Sequence, residues 1–141
     1  MGTWGLKNFE NDGAADFTDD VLENGKNLIK ETILKVSEMS IDEYLEAPDC
    51  ENALAANEFI AAYKGNPSDD LPEDISLWIK ENDLLNFKSS FFSKKVNIVD
   101  LSLKAIDRIL FNSELKELWE ESSEFEDWKK VVFDLKERIS I

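Results

Sequence analysis

The amino-acid sequence predicts an all-α fold: one compact domain, residues 1–141, built as a bundle of about six or seven helices. The length of 141 residues fits a single domain, because domains commonly hold about 100–200 residues. Hydrophobic residues make up 43% of the chain and aromatic residues 11%, which is enough apolar material for a buried core. Apolar residues recur at helical spacing, and no stretch of alternating polarity competes convincingly as a strand.

Residues 1–11 do not follow a helical pattern, and we expect them to form an arm that packs on the helices. Glycines on both sides of Trp4 allow the backbone of this segment to approach other elements closely. We therefore expect the arm to insert Trp4 and Phe9 against the helical body.

Capping residues mark the first helices. Asn11 or Asp12 can cap the first one, because a short side-chain oxygen accepts hydrogen bonds from the free amides of a first turn. Apolar residues at helical spacing continue on both sides of Gly25, which predicts two successive helices or one helix bent at this glycine. Ser40 and Glu43 then fit a capping box, in which each side chain accepts from the other's backbone N–H.

The middle of the chain predicts the centre of the core and an acidic loop. Residues 48–64 predict a helix whose five alanines let other helices approach closely, and Gly65 is expected to end it. Residues 65–74 contain two prolines and four carboxylates without a basic residue, which predicts an exposed acidic loop. Within this stretch, Pro72 is expected to open a short helix.

The C-terminal half predicts an irregular connection and further helices. Residues 82–95 lack a regular pattern, so we expect an irregular connection there. Apolar residues in the segment 96–110 recur at i, i+3 and i+7, which predicts an amphipathic helix. Asn112 and Ser113 are expected to cap one or two further turns, and residues 123–126 fit another capping box that opens the last helix.

The charge of the chain argues against two classes of partner. Sixteen Lys and Arg residues against thirty-one Asp and Glu residues give a net charge of −15. Such a surface repels the phosphates of nucleic acids and anionic lipid headgroups, so we expect binding to neither. A basic protein or a cation is the expected partner. Most of the excess lies in residues 1–75, which hold eighteen acidic and five basic residues, against thirteen and eleven in residues 76–141.

The residue types also exclude several kinds of catalysis. The chain has no histidine, and Cys50 is its single cysteine, so His-based triads, Cys–His pairs and internal disulfides are excluded. We therefore expect a protein that is not an enzyme and needs neither a cofactor nor a metal, with Cys50 buried in the core. The lone cysteine, the lack of a signal sequence and the lack of an apolar run of about 20 residues predict a cytoplasmic location.

Carboxylates are the candidate binding residues. Two acidic groups are expected to form a docking face for a cationic partner; they are Asp16, Asp19, Asp20, Asp69, Asp70, Glu73 and Asp74. As an alternative, Asp12 and the three aspartates that follow could share a helix face and hold magnesium or calcium, although their spacing is not that of an EF-hand. Glu58, in the alanine-rich helix, is expected either to face water or to be a buried carboxylate.

Several motifs are distributed over the whole chain. They are Met-Gly-Thr-Trp-Gly at residues 1–5, Phe-Glu-Asn-Asp at 9–12, Ala-Asp-Phe at 15–17, Ala-Leu-Ala-Ala-Asn-Glu at 53–58, Asn-Ser-Glu-Leu at 112–115 and Leu-Trp-Glu-Glu at 118–121. Together they resemble a bacterial family known as domain of unknown function 4259. The resemblance implies a compact bacterial domain. It implies no activity and therefore assigns no catalytic residue.

These observations favour a non-catalytic acidic binding protein. We expect a bacterial immunity or antitoxin-like protein, which neutralises a basic, nuclease-like toxin by masking its cationic surface. Two other classes stay open, namely a carboxylate-based metal-binding protein or hydrolase of unknown substrate, and an acidic phosphate mimic or structural subunit. The sequence leaves the identity of the partner and the oligomeric state open.

Overall fold

A computed structural model of the chain describes residue 3 and residues 5–85, 87–88 and 95–141. In this part of the chain there are seven helices and one pair of two-residue strands. The helices are α1 (Asp12–Asn24), α2 (Asn27–Ser37), α3 (Ala47–Tyr63), α4 (Glu73–Lys80), α5 (Ile98–Phe111), α6 (Glu114–Glu120) and α7 (Phe125–Ser140). The strands β1 (Phe87–Lys88) and β2 (Lys95–Val96) pair antiparallel, with Phe87 opposite Val96.

The predicted fold class is confirmed. The protein is all-α, and buried apolar residues from all seven helices form one cluster. No helix among the described residues combines the length and the apolar character needed to cross a membrane.

Helix α3 lies at the centre of the bundle. Residues 53–61 are all buried, so the helix is covered on every side instead of presenting one apolar face. It contacts each of the other six described helices, and its alanines let them approach closely. The ring of Phe59 packs edge-to-face against three other aromatic rings. They belong to Phe9, Phe17 and Trp78, with centroid distances of 6.5, 6.2 and 5.7 Å.

The ends of the helices follow local signals that the sequence carries. The side chain of Asn11 accepts a hydrogen bond from the backbone N–H of Ala14 at 2.7 Å and starts α1. Gly25 has a φ of 95°, which L side chains rarely adopt, and it separates α1 from α2. After α3, Gly65 has a φ of 94°, and the residue that follows it donates its N–H to the carbonyl of Ala61 at 2.9 Å. This is a Schellman motif, so the predicted end of α3 is confirmed.

Two predicted capping boxes differ from the structure. The box at residues 123–126 is wrong, because α7 has no side-chain cap and the hydroxyl of Ser122 accepts from the N–H of Glu124 at 3.1 Å instead. At the other box, the N–H of Ser40 donates to the Glu43 carboxylate at 3.1 Å, as predicted. The Ser40 hydroxyl, however, accepts from a residue two positions later, and no helix follows.

The connection predicted for residues 82–95 lies partly outside the described residues. Its described part contains β1 and the start of β2, which corrects the expectation of a wholly irregular segment. Val96, expected in the next helix, belongs to β2 instead. The helix begins later because Asn97 occupies the N-cap, where its side chain accepts from the N–H of Asp100 at 3.3 Å.

The N-terminal arm packs on the helices in its described part. Leu6 and Phe9 pack against the core, and Asn8 is buried. The prediction that Trp4 also inserts against the helices concerns a residue outside the described part of the chain.

Candidate functional site

Helix α1 has an apolar side and an acidic side. Phe17 and Val21 are buried, while Asp16, Asp19 and Asp20 are exposed on the other side of the helix, as its 3.6-residue period requires. The helix contains no basic residue. Its solvent-facing side therefore carries negative charge alone.

The segment that joins α3 to α4 carries the second acidic group. Asp69, Glu73 and Asp74 are exposed, and Asp70 is partly buried. Glu73 and Asp74 lie in the first turn of α4, where the positive end of the helix dipole favours carboxylates. The carboxylate of Asp74 also accepts from the N–H of Ile75 at 2.9 Å. Part of this charge therefore stabilises the start of α4.

The structure brings the two groups onto neighbouring elements. Helices α1 and α4 contact each other, and both pack on α3. We call the two groups together the acidic surface; its residues are Asp16, Asp19, Asp20, Asp69, Asp70, Glu73 and Asp74. Within the described part of the chain, none of these seven carboxylates forms an ion pair. Their charge is therefore available to a partner.

An exposed leucine lies beside the acidic surface. Leu77 is 55% exposed and lies one turn after Glu73 on the same side of α4, away from the buried Ile75 and Ile79. An apolar side chain next to a group of polar residues is the arrangement found at the core and rim of protein–protein interfaces. Leu77 is therefore the apolar residue best placed to accompany the acidic surface.

Asp69 and Asp70 also line a cleft of about 360 Å³ that lies over a buried ion pair. The pair joins Glu58 of α3, which is 2% exposed, to Arg138 of α7. The two terminal nitrogens of Arg138 lie 2.8 and 2.9 Å from the two carboxylate oxygens of Glu58, a bidentate arrangement. The side-chain amide of Asn8 donates to Oε2 of Glu58 at 2.7 Å.

This ion pair connects the last helix to the acidic loop. Arg138 donates to the carboxylate of Asp134 at 2.8 Å and to the carbonyl of Asn66 at 3.2 Å, and the Asn66 amide donates back to the Arg138 carbonyl at 3.0 Å. Burial lowers the pKa of the Arg138 guanidinium, but the hydrogen bonds and charges of Glu58 and Asp134 outweigh burial and hold that pKa above its ordinary value. Arg138 therefore stays cationic and anchors the start of the acidic loop.

The arrangement indicates a structural role for Glu58. Its two oxygens accept hydrogen bonds from Asn8 and from both terminal nitrogens of Arg138, so they are already engaged by protein donors. Of the two expectations for Glu58, the buried carboxylate is confirmed. The sequence did not predict its partner, which lies 80 residues away. One signal was present, since a carboxylate on a helix buried on every side needs a cationic partner.

Two other predicted residues have clear positions. Cys50 is buried, as predicted, and burial raises the pKa of its thiol to about 12, which keeps it in the unreactive protonated form at neutral pH. Among the described residues, no three His, Cys, Asp or Glu side chains are grouped so that they could hold a metal ion. Asp12 and the other aspartates of α1 therefore form no such cluster there.

Comparison with known proteins gives a family but no activity. A family model described as "Domain of unknown function (DUF4259)" matches residues 2–131. No curated protein and no solved structure matches the chain. The resemblance that the sequence motifs indicate is confirmed.

Proposed function

We propose that this chain, which belongs to the family described as a domain of unknown function, DUF4259, is a non-catalytic binding protein whose acidic surface docks on a basic protein. The observation that carries the proposal is that seven carboxylates on neighbouring elements have no ion-pair partner in the described part of the chain. Carboxylates held on packed helices present a negative potential to a cationic partner without first breaking internal ion pairs.

The chemistry of the remaining residues supports binding over catalysis. The chain lacks histidine, the residue most often used as a general base near neutral pH. Cys50 is held as a buried thiol, and the oxygens of Glu58 are engaged by Arg138 and Asn8. The single cysteine and Glu58, the deeply buried carboxylate of the described residues, thus both belong to the core.

The partner that fits best is a toxin domain with nuclease-like chemistry, which makes the protein a bacterial immunity or antitoxin-like protein acting in the cytoplasm. A nuclease holds phosphates in a cationic groove. Carboxylates placed in that groove exclude the substrate, and their field speeds association with the toxin. Leu77 then supplies an apolar contact beside the charged groups.

The test neutralises the acidic surface and measures affinity for a defined probe. Where the gene immediately upstream encodes a large secreted protein, its basic C-terminal domain is the probe, titrated against the full chain by calorimetry; an unrelated metabolic gene there would count against the proposal. The two triple variants are Asp16→Asn/Asp19→Asn/Asp20→Asn and Asp69→Asn/Glu73→Gln/Asp74→Asn. We expect sub-micromolar binding of the unmodified chain and a loss of at least about tenfold in each variant, because complementary charges accelerate association by about 10–10³-fold.

A control variant has the same change in net charge at another place. It neutralises three exposed carboxylates of the α6–α7 region that form no ion pair in the described part of the chain: Glu121→Gln/Asp127→Asn/Glu137→Gln. We expect this control to bind almost as tightly as the unmodified chain. Equal losses in all three variants would show that net charge, and not the acidic surface, governs binding, and no binding at all would overturn the proposal.

A further inference from the structure

A second cavity, of about 640 Å³, lies where the first turns of α1 and α3 meet α6. Its volume is within the range of about 300–1,000 Å³ that small-molecule sites have. None of the acidic-surface residues lines it, so the function proposed above does not use it.

The surface of this cavity is mainly apolar, and apolar side chains from α6 and from the first turn of α3 line it. Leu118 lines it and remains 43% exposed, and Pro48 lies among the lining residues of α3. The indole of Trp119 stacks on that of Trp128, with centroids 6.4 Å apart and ring planes 14° apart. Trp128 therefore covers one face of Trp119, and part of the remaining surface of Trp119 lines the cavity, where it can contact a ligand.

Carboxylates also line the cavity. Asp12, Glu51 and Glu124 contribute, and the described lining contains no basic residue. Burial raises the pKa of Glu51, and the negative charge of Asp12 raises it further. A hydrogen bond from Thr3 acts in the opposite direction but does not cancel these two effects. The carboxylate packs so closely on α1 that a Cβ added to Gly13 would lie 2.9 Å from Oε1 of Glu51. A cation that enters the cavity would offset the free-energy cost of burying this negative charge.

We propose that this cavity binds a small organic amine with an aromatic or alkyl body. The ammonium group lies beside the carboxylate of Glu51, which the charge of Asp12 reaches, and the apolar body lies against Leu118 and Trp119; Glu124 adds negative charge to the cavity lining. The indole adds a cation–π attraction, and the apolar body leaves water as it enters. A metal ion fits this site less well, because no described group of three carboxylates is arranged to hold one and most of the cavity surface is apolar.

The test compares three ligands of nearly equal shape and different charge. Phenethylamine, neutral 2-phenylethanol and anionic 3-phenylpropionate are each titrated into the ¹⁵N-labelled full chain and followed by two-dimensional NMR. We expect saturable shifts of the Gly13 amide and the Trp119 indole N–H with phenethylamine. Its dissociation constant should be at least about tenfold lower than that of either of the other ligands, because only the amine can satisfy the carboxylates.

Conservative variants then locate the site. Glu51→Gln/Glu124→Gln keeps the shape of the cavity, and we expect it to weaken phenethylamine about tenfold. Glu23→Gln removes an exposed carboxylate of α1 that belongs neither to the cavity lining nor to the acidic surface, and we expect it to leave the affinity for phenethylamine unchanged. Equal affinity for 2-phenylethanol, an unchanged affinity in the double variant, shifts confined to the acidic surface, or no saturable shift would each overturn the proposal. None of these results bears on binding by the acidic surface.

Discussion

Replacing Arg138 with alanine removes the cationic half of the buried pair that holds α7 against α3. The change leaves the Glu58 carboxylate, 2% exposed, with the Asn8 amide as its remaining hydrogen-bond donor among those described. It also frees the carbonyl of Asn66 and the carboxylate of Asp134 from their contacts with the guanidinium. An unpaired buried charge is among the most destabilising single defects in a folded protein.

The size of the effect follows from this burial. Breaking a buried ion pair by removing one partner costs about 3–5 kcal/mol. A chain of 141 residues has an unfolding entropy of about 0.3 kcal/mol per degree near its Tm, at about 2.1 cal/mol/K per residue. We therefore expect Arg138→Ala to lower the Tm by about 10–17 °C.

The assay is thermal unfolding followed by circular dichroism, with two comparison variants. Lys35→Ala breaks the ion pair between Lys35 and Asp49, in which the lysine side chain is 61% exposed. This variant should lower the Tm by no more than about 3 °C, since exposed ion pairs contribute about 0–1 kcal/mol. Glu58→Gln/Arg138→Met removes both charges and should be more stable than Arg138→Ala. If Arg138→Ala unfolds at the same temperature as Lys35→Ala, the buried pair does not hold the fold as argued here.

Three further predictions concern single side chains. Burial raises the pKa of the Cys50 thiol to about 12, so in the native protein this thiol should react with an aromatic disulfide reagent at pH 8 only as fast as the protein unfolds. Faster labelling would show that the Cys50 thiol is exposed. Burial also raises the pKa of Glu51 in the folded state. The ionised carboxylate therefore destabilises the folded state above that pKa, and this destabilisation disappears as the pH falls through it. Glu51→Gln should therefore raise the urea midpoint of unfolding at pH 7 but not at about pH 3. The control Glu31→Gln, at an exposed residue, should raise the midpoint at neither pH. An equal gain for Glu51→Gln at both pH values would contradict the prediction. Arg108 donates to four backbone carbonyls, three of them in the α2–α3 loop. Arg108→Ala should therefore lower the free energy of unfolding by about 2 kcal/mol and speed amide hydrogen exchange in that loop. The control Lys104→Ala, at an exposed residue, should do neither.

The sequence predicted the fold where the signals are local. Asn11, Gly65 and Ser113 define helix ends by contacts within five residues, so their effects can be inferred without knowing the rest of the fold. The prediction of a box at residues 123–126 was wrong because Ser122, one residue earlier, binds the N–H of Glu124, and sequence alone does not rank the two serines. The alanine-rich α3 was recognised as central from its composition.

The candidate site was predicted only in part. The acidic surface was identifiable because its residues cluster in the sequence without basic neighbours, and α1 and α4 then fold side by side. The pair of Glu58 and Arg138 could not be predicted, since its members lie 80 residues apart and nothing local links them. The cavity lined by α6 was missed as well, because it forms between three elements whose packing depends on the whole fold.

The association rate as a function of salt tests the central claim most directly. We would measure it by stopped-flow fluorescence for the unmodified chain and the basic probe domain defined under the proposed function, from low to physiological ionic strength. If unpaired carboxylates drive docking, the rate should fall at least about tenfold as the Debye length shortens from about 30 Å to about 8 Å. The variant Asp16→Asn/Asp19→Asn/Asp20→Asn should start slower and fall less. A rate that is independent of salt, or identical in that variant, would contradict the account.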